Sequence, residues 1–245
     1  GQLGQVLIKE LLMSNAKVVA VDNSEEKLEE LVSKNNFDES NITIIKADVK
    51  NIIEVQNAFE KGIKLYGYIN GLINNAAISI FDSWQTRKES EFDLVTQVNL
   101  KGSFNCMKEF FNYLIKTKRE GSVVNVASHY GIISPNPTIY TDCNRKNSEV
   151  YGATKAGLIQ MTKYFAINAI IDGAKVRVNA IAPGGIRNPD DPQGADFQKR
   201  YSSLCPMGRM GEQEEIVGPV LFLLSSMSSY INGHTLVIDG GMTSW

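Results

Sequence analysis

The sequence predicts a doubly wound α/β fold, a parallel sheet flanked by helices on both faces, in a single domain spanning residues 1–245. Two observations carry this. Short β-branched runs alternate with longer helical patterns, the order that right-handed parallel crossovers require. The runs are also apolar at successive positions, so each strand is expected to be covered on both faces.

The first helix is expected over 2–14, with Val6, Leu7, Leu11 and Leu12 on its inner side. Residues 18–21 read as a buried strand, the charged stretch 25–34 as a helix, 42–45 as a strand and 52–65 as a helix. A short strand at 71–73 runs into Asn74-Asn75. Long helical stretches at 89–116 and 150–171 bracket a strand at 122–126. A strand at 176–181, a helix at 212–226 and a last strand at 235–238 complete the pattern. The segment 130–149 holds Pro135, Asn136, Pro137, Asp142 and Asn144 and reads as a loop. Loops this long in compact domains usually carry function.

The chain opens on Gly1-Gln2-Leu3-Gly4, directly before a helix. That is the back half of a glycine-rich turn, which follows a strand in this class. The strand is central in a doubly wound sheet. The expectation is therefore a sheet interrupted at that point, with roughly 10–15 further residues ending in a strand and one more Gly.

Composition narrows the function. A formal charge of -2 lacks the basic excess of a general nucleic-acid binder. No apolar run approaches the ~18 residues needed to span a membrane. Gln2, Gln5, Lys9 and Glu10 break up any signal-like segment. Cys106, Cys143 and Cys205 show neither metal spacing nor a disulfide framework, which points to the cytoplasm.

The chemistry lies at predicted strand ends. Tyr151 and Lys155 stand one helical turn apart, on one face. An ammonium there favours the phenolate, so a tyrosine that is a poor base alone can exchange the proton of a carbinol. Taken alone, this spacing is common by chance. Ser128 ends the strand at 122–126, where ligands bind in open α/β sheets, and its hydroxyl can hold a substrate oxygen against Tyr151. Asn74-Asn75-Ala76-Ala77 follows another strand on the same edge, with small residues that admit a ring or ribose. Asn99, a mediocre helix former inside 89–116, needs a reason to be there. Asp22 lies 18 residues after Gly4, where an acid bonds ribose hydroxyls and repels a 2′-phosphate, favouring NAD over NADP. Asp48 can bond an adenine. Pro183-Gly184-Gly185-Ile186 can offer amide groups to a carboxamide.

In this order, with the terminal Asp239-Gly240-Gly241, these residues resemble the short-chain dehydrogenase/reductase family over essentially the whole chain. The resemblance implies a Rossmann-like fold and NAD-dependent interconversion of a secondary alcohol and a ketone. Tyr151 would be the acid/base, Lys155 its activator, Ser128 the orienting hydroxyl, and Asn99 would hold a water that relays protons to Lys155. Gly1, Leu3, Gly4, Asp22, Asn23, Asp48, Val49, Asn75, Ala76, Ala77, Pro183, Gly184 and Ile186 would hold the cofactor. The long helices resemble the family's dimer faces, implying a homotetramer with 222 symmetry, or a homodimer.

Two departures stand out. Ala77 occupies a position where Gly is usual. Ser128 and Tyr151 lie 23 residues apart, farther than is usual in the family, with the extra residues in 131–149. Tyr140 is not an alternative base, because Asn144 rather than Lys stands four residues on. The insertion and the segment 187–211 would flank the substrate, a small molecule. Ser128, Tyr130, Tyr151, Arg145 and Arg187 are the substrate candidates, and the cations point to an anionic or polyhydroxylated substrate such as a sugar or sugar phosphate. The alternatives are a sugar-nucleotide epimerase or dehydratase that uses NAD transiently, which would usually carry a further domain, and a silent dinucleotide-binding scaffold. A scaffold would be expected to lack Tyr151, Lys155 or Ser128, and all three are present.

Overall fold

The computed structural model describes residues 1–35, 37–38, 40–141, 148–189 and 193–245. Six strands, all parallel, alternate with helices among these residues. The chain runs α1 (Gln2–Met13), β1 (Val18–Asp22), α2 (Glu25–Asn35), β2 (Ile42–Lys46), α3 (Ile52–Tyr66) and β3 (Gly71–Asn74). It continues with α4 (Glu89–Thr96), α5 (Ser103–Thr117), β4 (Glu120–Val126), α6 (Glu149–Ile171), β5 (Lys175–Pro183), α7 (Ala195–Leu204), α8 (Val217–Leu224) and β6 (Thr235–Ile238). The ends obey local rules. The Asn51 side chain accepts from Ile53 N to start α3, and Gly67 at φ 80° stops it in the left-handed conformation.

The sheet is in two sections. β1 pairs with β2, and β3–β4–β5–β6 form a separate ladder. The break between β1 and β3 falls where the half glycine turn at Gly1–Gly4 leads one to expect an interruption. β4 and β5 form the longest ladder, from Glu120 against Lys175 to Val126 against Ile181. Their middles are fully covered, with Val123, Val124, Val178, Ala180 and Ile181 all at 0% exposure. On one face Met107, Phe110 and Leu114 of α5 pack with Leu158 and Ala166 of α6. On the other, Leu7 of α1 packs with Val217, Val220 and Leu223 of α8. This is the two-faced covering that the apolar runs predict.

Three elements differ from the sequence reading. The stretch 89–116 is helical throughout but passes through a π-helical segment at Gln97–Gly102. The stretch 212–226 is broken into a 3₁₀ turn at Gln213–Ile216 followed by α8. The segment 130–149 is not wholly irregular, since Pro137–Ile139 forms a 3₁₀ turn. Its Ile139 and Tyr140 are buried against Phe197 and Tyr201 of α7. The described part of the insertion thus packs on α7 through Ile139 and Tyr140.

A buried polar chain crosses the main section. Asn74 Nδ2 donates to Asn125 Oδ1 at 2.8 Å, and Asn125 Nδ2 donates to Thr162 Oγ1 at 2.9 Å. It joins β3, β4 and α6 behind their carboxyl ends. Asn125→Ala would leave the Asn74 amide without this acceptor and Thr162 with only its bond to Leu158 O, at a position with 0% exposure. We expect a loss of about 2–4 kcal/mol, read as a fall in Tm or in the denaturant midpoint with unchanged slope. A variant as stable as the wild type would show that the chain is not structural.

Candidate active site

α6 is built around one stripe. Val150, Thr154, Leu158, Thr162, Ala166 and Ala169 are its buried face, at spacings of three and four. Ser148 caps it, its side chain accepting from Tyr151 N at 3.1 Å. Tyr151 therefore lies in the first turn and Lys155 one turn deeper. The turn His129–Gly131, which follows β4, presses directly on this helix. A Cβ on Gly131 would stand 2.7 Å from Lys155 C and 2.9 Å from Ala156 N, so only glycine fits without backbone movement.

Lys155 is 3% exposed and its Nζ donates to Val126 O at 2.7 Å. Burial pulls its pKa down to about 8. Burial pushes the Tyr151 phenol up, and a hydrogen bond with the Ser128 side chain draws it partly back. The sequence reading expects the Lys155 ammonium to set the tyrosine's pKa. Nζ lies 5.5 Å from the centre of the Tyr151 ring, and what shifts the phenol is its burial and Ser128. Ser128 also accepts from Tyr130 N at 3.1 Å, so it both caps a turn and faces the phenol.

These groups border a cavity of about 220 Å³ at the carboxyl ends of β3, β4 and β5. Leu3, Asn75, Ala77, Ser128, Tyr151, Lys155, Pro183, Gly184 and Ile186 all line it. A second cavity of about 60 Å³ is lined by Gly1, Gly4, Ala20, Asp22, Lys27 and others, and Asn75 borders both. The two cavities thus flank Asn75, with Tyr151 lining one and Asp22 the other. The amino end of α1 and the close approach at Gly4 suit an extended dinucleotide. A Cβ on Gly4 would stand 3.0 Å from Asn75 Nδ2. The residues present fit such a group.

Other candidates lie elsewhere. Asn99, in the π-helical segment, is 1% exposed. Its Oδ1 accepts from Ile78 N at 2.8 Å, and its Nδ2 donates to Ile78 O at 2.9 Å and Thr154 Oγ1 at 3.1 Å. Both amide hydrogens are spent tying the segment after β3 to α6, so Asn99 acts here as a tether. Asp22 Oδ1 accepts from Ser24 N at 3.0 Å, starting α2, while the carboxylate still faces the second cavity. Asp48 likewise accepts from Lys50 N at 2.9 Å. Val49 packs on Gly102, and its carbonyl accepts from Asn105 at 2.9 Å. Asn23 and Ala76 are exposed. Tyr130 is half-buried with its hydroxyl 3.0 Å from that of Tyr140, and burial first, then Tyr140, pushes its phenol up. Arg187 lines neither cavity and pairs with Glu212 at 3.0 Å. Arg145, with Asp142, Cys143, Asn144 and Lys146, lies outside the described residues.

Three contacts have little sequence signal. Tyr201 of α7 accepts from Gly185 N at 2.6 Å, holding the turn after Pro183, and burial pushes its pKa up to about 12. His129 Nδ1 lies 3.0 Å from Pro183 O, joining the ends of β4 and β5, and burial holds its pKa down. Thr154 Oγ1 donates to Tyr151 O at 2.8 Å. Only His129, adjacent to Ser128, could have been singled out from its position in the chain.

No helix among the described residues is long and apolar enough to cross a membrane. No cluster of metal-ligating side chains occurs among them. Cys106 and Cys205 are free thiols.

Comparisons with known proteins agree with the geometry. A family model described as enoyl-(acyl carrier protein) reductase matches residues 3–243. A 3-oxoacyl-[acyl-carrier-protein] reductase of Thermotoga maritima is 37% identical over 228 residues, covering 93% of this chain and 87% of its own. A short chain dehydrogenase of Leptospira borgpetersenii with bound NAD+ superposes with a TM-score of 0.87 at 35% identity, covering 99% of this chain and 89% of that one. A gluconate 5-dehydrogenase of Burkholderia cenocepacia, in complex with NADP and tartrate, gives 0.84 at 26% identity, covering 99% and 91%. The two cavities flanking Asn75, the Tyr151–Lys155 pair on one of them and this breadth of likeness have one explanation: the chain belongs to the short-chain dehydrogenase/reductase family of oxidoreductases.

Proposed function

We propose that this protein reduces a ketone to a secondary alcohol, and runs the reverse reaction, with NAD as its preferred dinucleotide. The observation that carries this is the meeting of Tyr151, Ser128 and Lys155 on one cavity beside Pro183 and Ile186. The dinucleotide, held along Leu3, Asn75 and Gly184, supplies or accepts the hydride when bound. Ser128 orients the carbonyl oxygen, Tyr151 gives it a proton, and Lys155 stabilises the phenolate that remains. A buried site strengthens that charge interaction.

Asp22 supports NAD. Its carboxylate faces the second cavity, where a 2′-phosphate would meet a negative charge. Lys27 borders the same cavity and weighs the other way. The dinucleotides held by the Leptospira and Burkholderia enzymes differ in the same respect.

For the substrate, the Thermotoga relative favours a 3-oxoacyl thioester. A hydroxylated or anionic ketone of the sugar-acid kind is the second reading. It is favoured by the paired phenols of Tyr130 and Tyr140 beside the site and by the Burkholderia likeness. We also propose a cytoplasmic homotetramer or homodimer. Phe104, Tyr164, Ile167 and Ile171 leave an exposed apolar face on α5 and α6 that would suit such an interface.

Three outcomes are expected. With dinucleotide deuterated at the transferring position of the nicotinamide, label appears at the carbinol carbon of reduced acetoacetyl-CoA or of a reduced keto-sugar acid, as detected by mass spectrometry. An epimerase would show no net dinucleotide oxidation, and a silent binder no label. Second, NADH gives a higher kcat/KM than NADPH, and Asp22→Ala narrows the gap by about tenfold or more, one lost charge contact being worth ~1–2 kcal/mol. A wild-type preference for NADPH would contradict the reading of Asp22. Third, Lys155 has its pKa lowered to about 8, so its ammonium is present below that pH and lost above it. Reduction therefore holds steady toward neutral pH and declines above about pH 8. Lys155→Met should be slow at every pH and lack that decline, and a decline of the same shape in the variant would contradict the assignment.

A further inference from the structure

We propose that Arg87 is a positioning residue for Tyr151, pinning the first turn of α6 to the segment that leaves β3. This rests on the reading of Tyr151 as the acid/base. Arg87 lies between β3 and α4, and its side chain is only 4% exposed. A buried guanidinium stays charged, so it needs several well-placed partners. Nε donates to Glu149 Oε1 at 2.5 Å. Nη2 donates to the carbonyls of Ile80 at 3.2 Å and Asp82 at 2.7 Å. Nη1 stands 3.9 Å from Glu91 Oε2 and is the one guanidinium nitrogen with no hydrogen bond. One planar fork thus joins the segment after β3, the first turn of α4 and the start of α6.

The placement has a consequence for Tyr151. Glu149 opens α6, and Tyr151 lies in the same turn. The first turn of a helix lacks intrahelical partners for its amide groups and frays unless side chains hold it. Among the described residues, the Arg87–Glu149 pair grips this turn from outside the helix together with the burial of Val150 and the hydrogen bond between Ser128 and Tyr151, and it alone ties the turn to the segment after β3 through a charged side chain. Lys155, one turn deeper, is fixed separately by Val126 O. The opposite anchor is firm too, because Asn99 clamps Ile78 two residues before Ile80. Loss of Arg87 would therefore let the phenol drift relative to a stationary ammonium. A displacement of about 1 Å at a reacting group can cost on the order of 10²-fold in rate.

The test uses the purified full-length Arg87→Ala, Arg87→Lys and Glu149→Gln proteins and the Arg87→Ala/Glu149→Gln double variant, with Tyr151→Phe as reference. Steady-state ketone reduction, its pH profile and NADH affinity by fluorescence titration are measured together. We expect kcat of Arg87→Ala to fall by about tenfold or more, with NADH Kd within about twofold of wild type. The limb set by the phenol should move, because the phenol leaves the partners that set its titration, while the decline near pH 8 set by Lys155 stays in place. Arg87→Lys should recover little, since a point ammonium cannot bridge the same carbonyl and carboxylate acceptors. Glu149→Gln, at a half-exposed side chain, should fold normally and show a smaller loss in the same direction. The double variant should be no worse than Arg87→Ala alone. Wild-type kcat and pH profile in Glu149→Gln and Arg87→Lys would overturn the proposal, as would additive losses in the double variant. A loss of NADH affinity matching the loss of kcat would also overturn it, by showing general damage to the fold. Activity retained by Tyr151→Phe would instead sink the reading of Tyr151 itself, so the two failures are distinguishable.

Discussion

The hydrogen bond from the Lys155 ammonium to the carbonyl of Val126 is the contact on which the candidate site depends. It joins the middle of a helical turn to the last residue of a central strand, where neither can move without disturbing a fully covered ladder. A lysine this deep is costly to keep charged, and desolvation of a single ion is worth several kcal/mol. Burial lowers its pKa to about 8, near enough to neutrality for the ammonium to persist. The glycine at 131 makes the arrangement sterically possible, since a larger residue would push the turn away from the backbone of Lys155 and Ala156.

From that anchor the other groups follow in layers. Tyr151 reaches the same edge because it lies one turn before Lys155. Ser128 reaches it because β4 ends two residues earlier. The wall beyond Pro183 is held by contacts between strand ends and helices. His129 reaches Pro183 O, Tyr201 receives Gly185 N, and Asp239 packs on Gly184 just after β6. The polar tether through Asn99 and Thr154 then locks the segment after β3 to α6. Each link is local, and together they convert a sheet edge into a cavity whose polar groups converge.

Much of this was legible in the chain itself. Strands covered on both faces leave runs such as 123–126 without alternation, and that signal does not depend on distant residues. The half glycine turn at Gly1–Gly4 likewise anticipates the break between β1 and β3. What was not legible depends on tertiary contact. The π-helical segment at Gln97–Gly102 keeps an ordinary helical spacing of apolar residues, so Asn99 looked out of place without showing its tether. Tyr130 and Arg187 stand out as substrate candidates by position, and their partners Tyr140 and Glu212, 10 and 25 residues away in sequence, are set by the fold. The direction of the Tyr151 shift was missed for the same reason. A turn-to-turn argument sees Lys155, whereas burial is imposed by elements far along the chain.

The most direct test of the account is the rate of hydride transfer by Tyr151→Phe, with dinucleotide binding measured in parallel. The phenyl ring keeps the packing and removes only the hydroxyl, with its proton and its hydrogen bond to Ser128. The account predicts unchanged NADH affinity and a fall in kcat of about 10²–10⁴-fold, the range for loss of a general acid/base. A variant that binds the dinucleotide and turns over at the wild-type rate would show that the proton moves elsewhere, and that the Lys155–Val126 anchor serves the fold alone.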